Sequence, residues 1–316
     1  MTLRRFVAAT LLLGALAPSA DAARKPREPA TLADLATRQP PVRRDEPVGA
    51  DAGLAASSYE EFLRIPGTDG AMRAQALRRL GDLRLAEAEA LRAGEGTSVP
   101  LATAMTREAI AAYERLLEES PGGRDADVAL YQLARAHESL GDAERALAML
   151  DRLVATHPDS AHFDEAQFRR GETLFSAQRY RDAERAYAAV LARNAGSAFR
   201  QQALYKHGWS LFKQSRDEES SASFLALLDG LLVSDGRLRL LQQLSRPEQE
   251  LAADAMRALA ITFAAADGPA SLQAALDRHG AAVYEASLYR ALGELYVEKE
   301  RYQDGAEAYR AFARRL

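Results

Sequence analysis

The sequence predicts an all-α protein whose bulk is a solenoid of about six stacked helix hairpins. Three observations predict it. Alanine supplies 66 of the 316 residues, and with Leu, Arg and Glu it makes a chain dominated by strong helix formers. A small residue recurs within apolar, helix-period segments at Gly81, Ala134, Gly171, Gly208, Ala260 and Gly293, in similar surroundings such as AQALRRLGDL, DVALYQLARA, EAQFRRGETL and EASLYRALGEL. Twelve residues after it stands a second small or slim residue, and four further on a large apolar one. The pairs are Ala146/Leu150, Ala183/Tyr187, Ser220/Phe224, Leu272/Leu276 and Gly305/Tyr309. In the first unit the pair is Ala109/Tyr113, displaced by an insertion. Such self-similarity marks a repeat architecture, in which no single hairpin buries its apolar face until it stacks on the next. Aromatic residues are 7% of the chain, and with β-branched residues also sparse there is little from which to build a sheet.

The chain opens with an address. Arg4 and Arg5 precede an apolar run from Phe6 to Ala17, and Ala20-Asp21-Ala22 offers small residues for cleavage after Ala22. The run is shorter than the ~20 residues of a membrane span, so residues 1–22 read as a signal peptide. Residues 23–57 are interrupted by Pro26, Pro29, Pro40, Pro41 and Pro47 and crowded with charge. A segment of that composition buries too little apolar surface to offset its ordering entropy, and reads as a disordered linker. The chain has no cysteine, which excludes disulfides, thiolate metal sites and a lipid-anchoring cysteine. Export without a lipid anchor points to the Gram-negative periplasm.

The solenoid is expected over residues 58–316, with units at about 70–122, 127–160, 164–197, 201–232, 250–280 and 286–316. The small positions Gly81, Ala134, Gly171, Gly208 and Gly293, with Ala183 on a second helix, are expected to let paired helices approach closely. The spacings 81→134 and 208→260 exceed the regular step and place insertions at about 91–104 and 230–248. The first, containing Gly94 to Pro100, reads as a loop between helices. The second, rich in leucine, reads as an extra amphipathic helix capping a face, with membrane-surface contact as the alternative. The helix-ending proline position, 24 residues after the small residue, would fall for Gly293 one position past Leu316, and with no polar capping helix in the sequence the last hairpin is expected either to continue in a longer protein or to dock on a partner.

This spacing resembles the tetratricopeptide repeat family, over roughly residues 69–316. Residues 164–197, with Gly171, Tyr180, Ala183 and Tyr187, and residues 286–316, with Leu292, Gly293, Tyr296, Tyr302 and Tyr309, carry the likeness best. The early tryptophan of the family pattern is mostly replaced. The resemblance implies a right-handed solenoid and a scaffold for protein partners. It is closest in character to periplasmic members, such as the cell-division coordinator of the Tol–Pal system and the scaffold of the outer-membrane assembly machine. It further implies that the first helix of each unit lines a concave groove. The inward residues are then Val128, Tyr131, Arg135 and Glu138; Glu165, Phe168, Glu172 and Phe175; and Gln202, Tyr205, Trp209, Phe212 and Lys213. Tyr131, Phe168, Phe175, Tyr205, Trp209 and Phe212 would make an aromatic ladder for an apolar peptide of an envelope protein. Two readings stay open: a binding groove, or rings that fill hairpin cores.

No chemistry is expected. The five histidines lack metal-ligand spacing, and no nucleophile elbow, phosphate loop or dinucleotide fingerprint occurs. The expectation is therefore no enzyme, no cofactor and no metal. A net charge of −4 and pI near 5.9 advertise no surface for nucleic acid. Self-assembly through the last hairpin and glycan stacking on the aromatic rings are the rival uses of such a solenoid.

Overall fold

The computed structural model describes residues 52–94, 98–193, 196–239, 243–280 and 282–315. The chain divides into Met1–Ala50 and Asp51–Leu316, and all described residues fall in the second unit. Residues 1–22, expected as a signal peptide, and residues 23–51 of the expected linker lie outside them. Among the described residues there are thirteen helices and one two-stranded hairpin.

Helix α1 (Ala52–Arg64) packs on α2 (Gly70–Ala93), which pairs with α3 (Val99–Glu119). There follow α4 (Ala126–Ser139) with α5 (Ala143–Thr156), α6 (Phe163–Ser176) with α7 (Tyr180–Arg193), and α8 (Arg200–Phe212) with α9 (Asp217–Leu232). The last two pairs are α10 (Arg246–Ala265) with α11 (Pro269–His279), and α12 (Glu285–Glu298) with α13 (Tyr302–Arg315). Each of the first four hairpins stacks its second helix on the first helix of the next. At the fifth hairpin the pattern changes, and α10 packs chiefly against α12 while the shorter α11 stands aside.

The recurring positions meet in space. A Cβ built on Gly81 would lie 2.6 Å from the Tyr113 ring, one on Gly208 2.8 Å from Phe224, and one on Gly293 2.6 Å from Tyr309; Gly171 abuts Tyr187 in the same way. Glycine in a helix costs about 1 kcal/mol relative to alanine, and here the missing methyl is the space the ring fills. The two units with alanine at this position, Ala134 and Ala260, have leucine, Leu150 and Leu276, sixteen residues later. In sequence the sizes are matched, glycine with ring and alanine with leucine. The rings and leucines at this position are 0–1% exposed, except Tyr309 on α13 at 44%. The second small position touches the same spot from across the hairpin: Ser220 Oγ donates to the Gly208 carbonyl at 2.9 Å.

Three of the turns between paired helices close identically. The Arg179, Arg216 and Arg301 amides donate back to Leu174, Leu211 and Tyr296 carbonyls, and the preceding Gln178, Ser215 and Glu300 have φ near +60°. This is the left-handed helix stop that ordinarily favours glycine. The second hairpin has Gly141 there, with Asp142 taking the arginine's place and capping α5 through Arg145 N.

Three expectations are corrected. Residues 52–57, expected in the disordered linker, form most of the first half of α1, with Ala56 and Leu63 buried against the array. The insertion at about 91–104 does hold a connection between helices near Gly94, but a shorter one than Gly94–Pro100: α2 runs to Ala93, and α3 starts at Val99 after the N-cap Ser98. Relative to α6 and α7, α2 runs seven residues further beyond its small position, and α3 begins seven residues earlier before its ring. Seven residues are close to two helical turns, so the insertion lengthens both arms without rotating the apolar face. The extra helix expected at 230–248 is absent among the described residues. Helix α9 continues to Leu232, and Val233–Ser234 pairs antiparallel with Arg237–Leu238. Ser245 and Glu248 then form a reciprocal cap that starts α10. Periodic leucines mislead here because Leu231, Leu232 and Leu244 are buried from different elements.

Candidate functional site

The first helices α2, α4, α6 and α8 are linked along one face by a run of ion pairs. Glu89 pairs with Arg135, Glu138 with Arg169 at 2.8 Å, and Glu172 with Lys206 at 2.8 Å. Each pair joins one hairpin to the next. Among the described residues the run skips from α8 to α10, where Trp209 follows Gly208 in the place that Glu172 takes after Gly171. It resumes with Arg257 and Glu298 at 3.4 Å between α10 and α12.

The six aromatic residues expected to line the groove do not form one ladder. Tyr131 is 6% exposed; its ring stacks on His162 with centroids 4.4 Å apart, and its hydroxyl donates to Glu165. Burial, with that hydrogen bond to a carboxylate, pushes the Tyr131 hydroxyl up to about 12. As a contact for a partner it is withdrawn, because its ring is spent joining α4 to the start of α6. Phe168 is half-buried and meets Phe199 at 5.5 Å and Tyr187 at 5.8 Å. Phe175 lies edge-on to Tyr180 at 5.2 Å, with the Lys206 ammonium 5.6 Å from its ring centre. On α8, Trp209 contacts Tyr205 at 6.3 Å, Phe212 at 5.5 Å and the buried Phe224 at 5.7 Å. Tyr205, Trp209 and Phe212 remain half-buried. Five of the six rings thus keep partial access while also bracing the array.

The residues that cap the first helices were missed by sequence reasoning. His162 and Phe199 stand nine positions before Gly171 and Gly208, and each stacks on the ring three positions before the previous unit's small residue, Tyr131 and Phe168. A ring nine positions ahead of Gly171, Gly208 and Gly293, at His162, Phe199 and Tyr284, was the available signal. The ion pairs were also legible as opposite charges about one repeat apart.

One carboxyl of this face, Glu165, is shifted toward its charged form. Burial alone would raise the Glu165 carboxyl, but hydrogen bonds from Tyr131 and Arg169 outweigh it and the group lies below its ordinary value. Burial likewise opposes the charge on Arg169, and Tyr131, Glu138 and Glu165 more than restore it. The Tyr187 hydroxyl, pushed well up by burial, donates to Glu172. Among the described residues no group of three or more His, Asp or Glu could hold a metal, and no helix is long and apolar enough to cross a membrane.

Residues 101–167 match the family model of the tetratricopeptide repeat. No curated protein matches the chain. Among solved structures, a tetratricopeptide repeat protein from Parabacteroides merdae is 18% identical, over 83% of this chain and 86% of that one, with a TM-score of 0.46. YrrB, described as a TPR protein with an unusual peptide-binding site, is 20% identical over 65% of this chain and 82% of its own, with a TM-score of 0.43. MamA from Desulfovibrio magneticus RS-1 is 16% identical over 74% and 93%, with a TM-score of 0.38.

Proposed function

We propose that this chain, an α-solenoid carrying tetratricopeptide repeats, is an exported, non-enzymatic scaffold of the bacterial cell envelope. It holds a segment of a partner protein against the face formed by its first helices. One observation carries the reading: Trp209, with Tyr205 and Phe212, stays half-buried where the run of ion pairs is interrupted. Large rings with two rotatable bonds give contact area at low entropic cost, and contacts with Phe224 of the same hairpin hold Tyr205 and Trp209 in place. Export is supported by residues 1–22, with their paired arginines, short apolar run and small-residue cleavage site.

The test is in-cell crosslinking from a photoreactive residue at Trp209, with one at Arg185 on α7, whose side chain is 69% exposed, as control. Capture of one discrete protein from Trp209 alone is the expected result. Equal capture from both positions, or self-capture from both, would reject the groove. Mass spectrometry of the chain from the same cells checks export: a mature start at Ala23 is expected, and an intact Met1 would refute the signal peptide.

A further inference from the structure

We propose that the cleft between α4 and α6 receives an arginine or lysine side chain from an extended segment of the partner. This rests on the scaffold reading and gives the partner's chemistry. The floor of the cleft is Phe168 and Phe199. Its rim is Glu138 of α4 with Glu165, Arg169 and Glu172 of α6. Three carboxylates face two cations, Arg169 and the Lys206 that pairs with Glu172, which leaves one negative charge in excess.

The same face already shows how it treats cations. The Arg169 guanidinium lies 5.9 Å from the Tyr131 ring centre and bonds Glu165. The Lys206 ammonium lies 5.6 Å from the Phe175 ring centre and bonds Glu172. In both, a cation rests on a ring and is held by a neighbouring carboxylate. Phe168 lies between Tyr131 and Phe175 in sequence and has Glu138 and Glu172 beside its cleft, but among the described residues no cation lies over it.

The carboxylates have capacity to spare. An ionised carboxylate offers about four acceptor positions. Glu138 receives one described bond, from Arg169 Nη1 at 2.8 Å, and Glu172 receives two, from Tyr187 and Lys206. Their side chains are 29% and 37% exposed, so a ligand can reach them. A basic side chain matches both features of the cleft. Its methylene stem covers the phenylalanine rings, and its head reaches the carboxylates. An acidic segment would meet the excess negative charge, and a purely apolar one would strip water from carboxylates without replacing it.

The test uses a phage-displayed library of random dodecapeptides, selected on the chain and on two variants, Phe168→Ser and Glu138→Gln. The second removes one partly exposed rim charge, and with it the Arg169 ion pair, without touching the buried core, and keeps the test valid should the first misfold. Expected are enriched peptides with Arg or Lys beside an apolar residue. A labelled synthetic copy of the most enriched one should bind about tenfold more weakly to either folded variant. It should also weaken as salt rises from about 0.05 to 0.5 M. Enrichment of acidic or uncharged sequences, equal affinity for the wild type and Glu138→Gln, or no enrichment at all would overturn the proposal. If Trp209 still captures one partner in cells after such a failure, the scaffold reading stands and only the basic-residue assignment falls. If the crosslink fails as well, both fall.

Discussion

The helix backbone at Gly171 rests directly on the ring of Tyr187, with no room for even a methyl group between them. In an exposed helix Gly→Ala ordinarily stabilises by about 1 kcal/mol. At this position Gly171→Ala is expected to destabilise, by roughly 1–3 kcal/mol, because the added carbon overpacks a ring that is fully buried. The double variant Gly171→Ala/Tyr187→Leu reproduces the pairing of Ala134 with Leu150 and should recover part of that loss. Urea unfolding of the two single variants and the double variant gives the coupling. Additive effects would show that the matched sizes are coincidental.

Gln167 stands four residues before Gly171, where the other units place Leu77, Leu130, Leu204, Met256 and Tyr289. It is 7% exposed, and its Oε1 is buried without a hydrogen-bond partner. An unpaired buried acceptor costs about 1–3 kcal/mol. Gln167→Leu should therefore raise the urea midpoint with an unchanged slope. A lower midpoint would mean that the amide is satisfied in solution.

The positive φ at Gln178, Ser215 and Glu300 is a strain that Gly141 avoids. A non-glycine residue in left-handed conformation costs about 1–2 kcal/mol, offset by glycine's greater loss of freedom on folding. Gln178→Gly should stabilise by a few tenths to about 1 kcal/mol, and Gly141→Gln should destabilise by a similar amount. Thermal melts of the pair decide it, and shifts of the same sign would count against the strain.

Two histidines, the buried His137 and the half-buried His207, set a pH dependence. Burial pushes His137 below its ordinary 6.5, as does Arg145, against the pull of Asp142 and Glu114. His207 is lowered by burial and Arg216 against Glu184 and Glu219. The unfolded chain therefore binds more protons than the folded one below about 6.5, and stability held at neutral pH falls as the pH drops through that value. The lowered carboxyls, such as Glu165, begin to contribute only nearer pH 4.5. Melting temperatures from pH 7.5 to 5 should decline, and His137→Leu, which matches Leu174 and Leu211 in the next units, should flatten part of the decline. A slope unchanged by His137→Leu would remove this residue from the account.

The hairpins were legible because close packing writes itself into sequence as fixed offsets. Gly208 and Phe224 are sixteen residues apart in the chain and in van der Waals contact in space. Lengthening was not legible, since Ala, Leu, Arg and Glu between 84 and 93 are as fit for a helix as for its solvated continuation, and Gly94 with Gly96 drew attention to a loop. The leucines of 231–244 read as one helical period, although Leu231 and Leu232 belong to α9, Leu238 to the hairpin and Leu244 to the approach to α10. At the candidate site the ring positions were found, but Tyr131 could not be told from Phe175 by spacing. What separates them is His162, a neighbour contributed by the next hairpin and stacked on Tyr131 alone.

The two additional turns on each arm of the first pair, α2 and α3, remove a degeneracy that equal repeats impose on whatever lies along them. On a row of identical steps a bound chain fits equally well after sliding by one step, and it dissociates or misaligns by creeping. A step that overhangs its neighbour by about 10 Å has no equivalent elsewhere in the row. On the proposed scaffold, such a step is an end-stop from which every other position of a bound segment is counted.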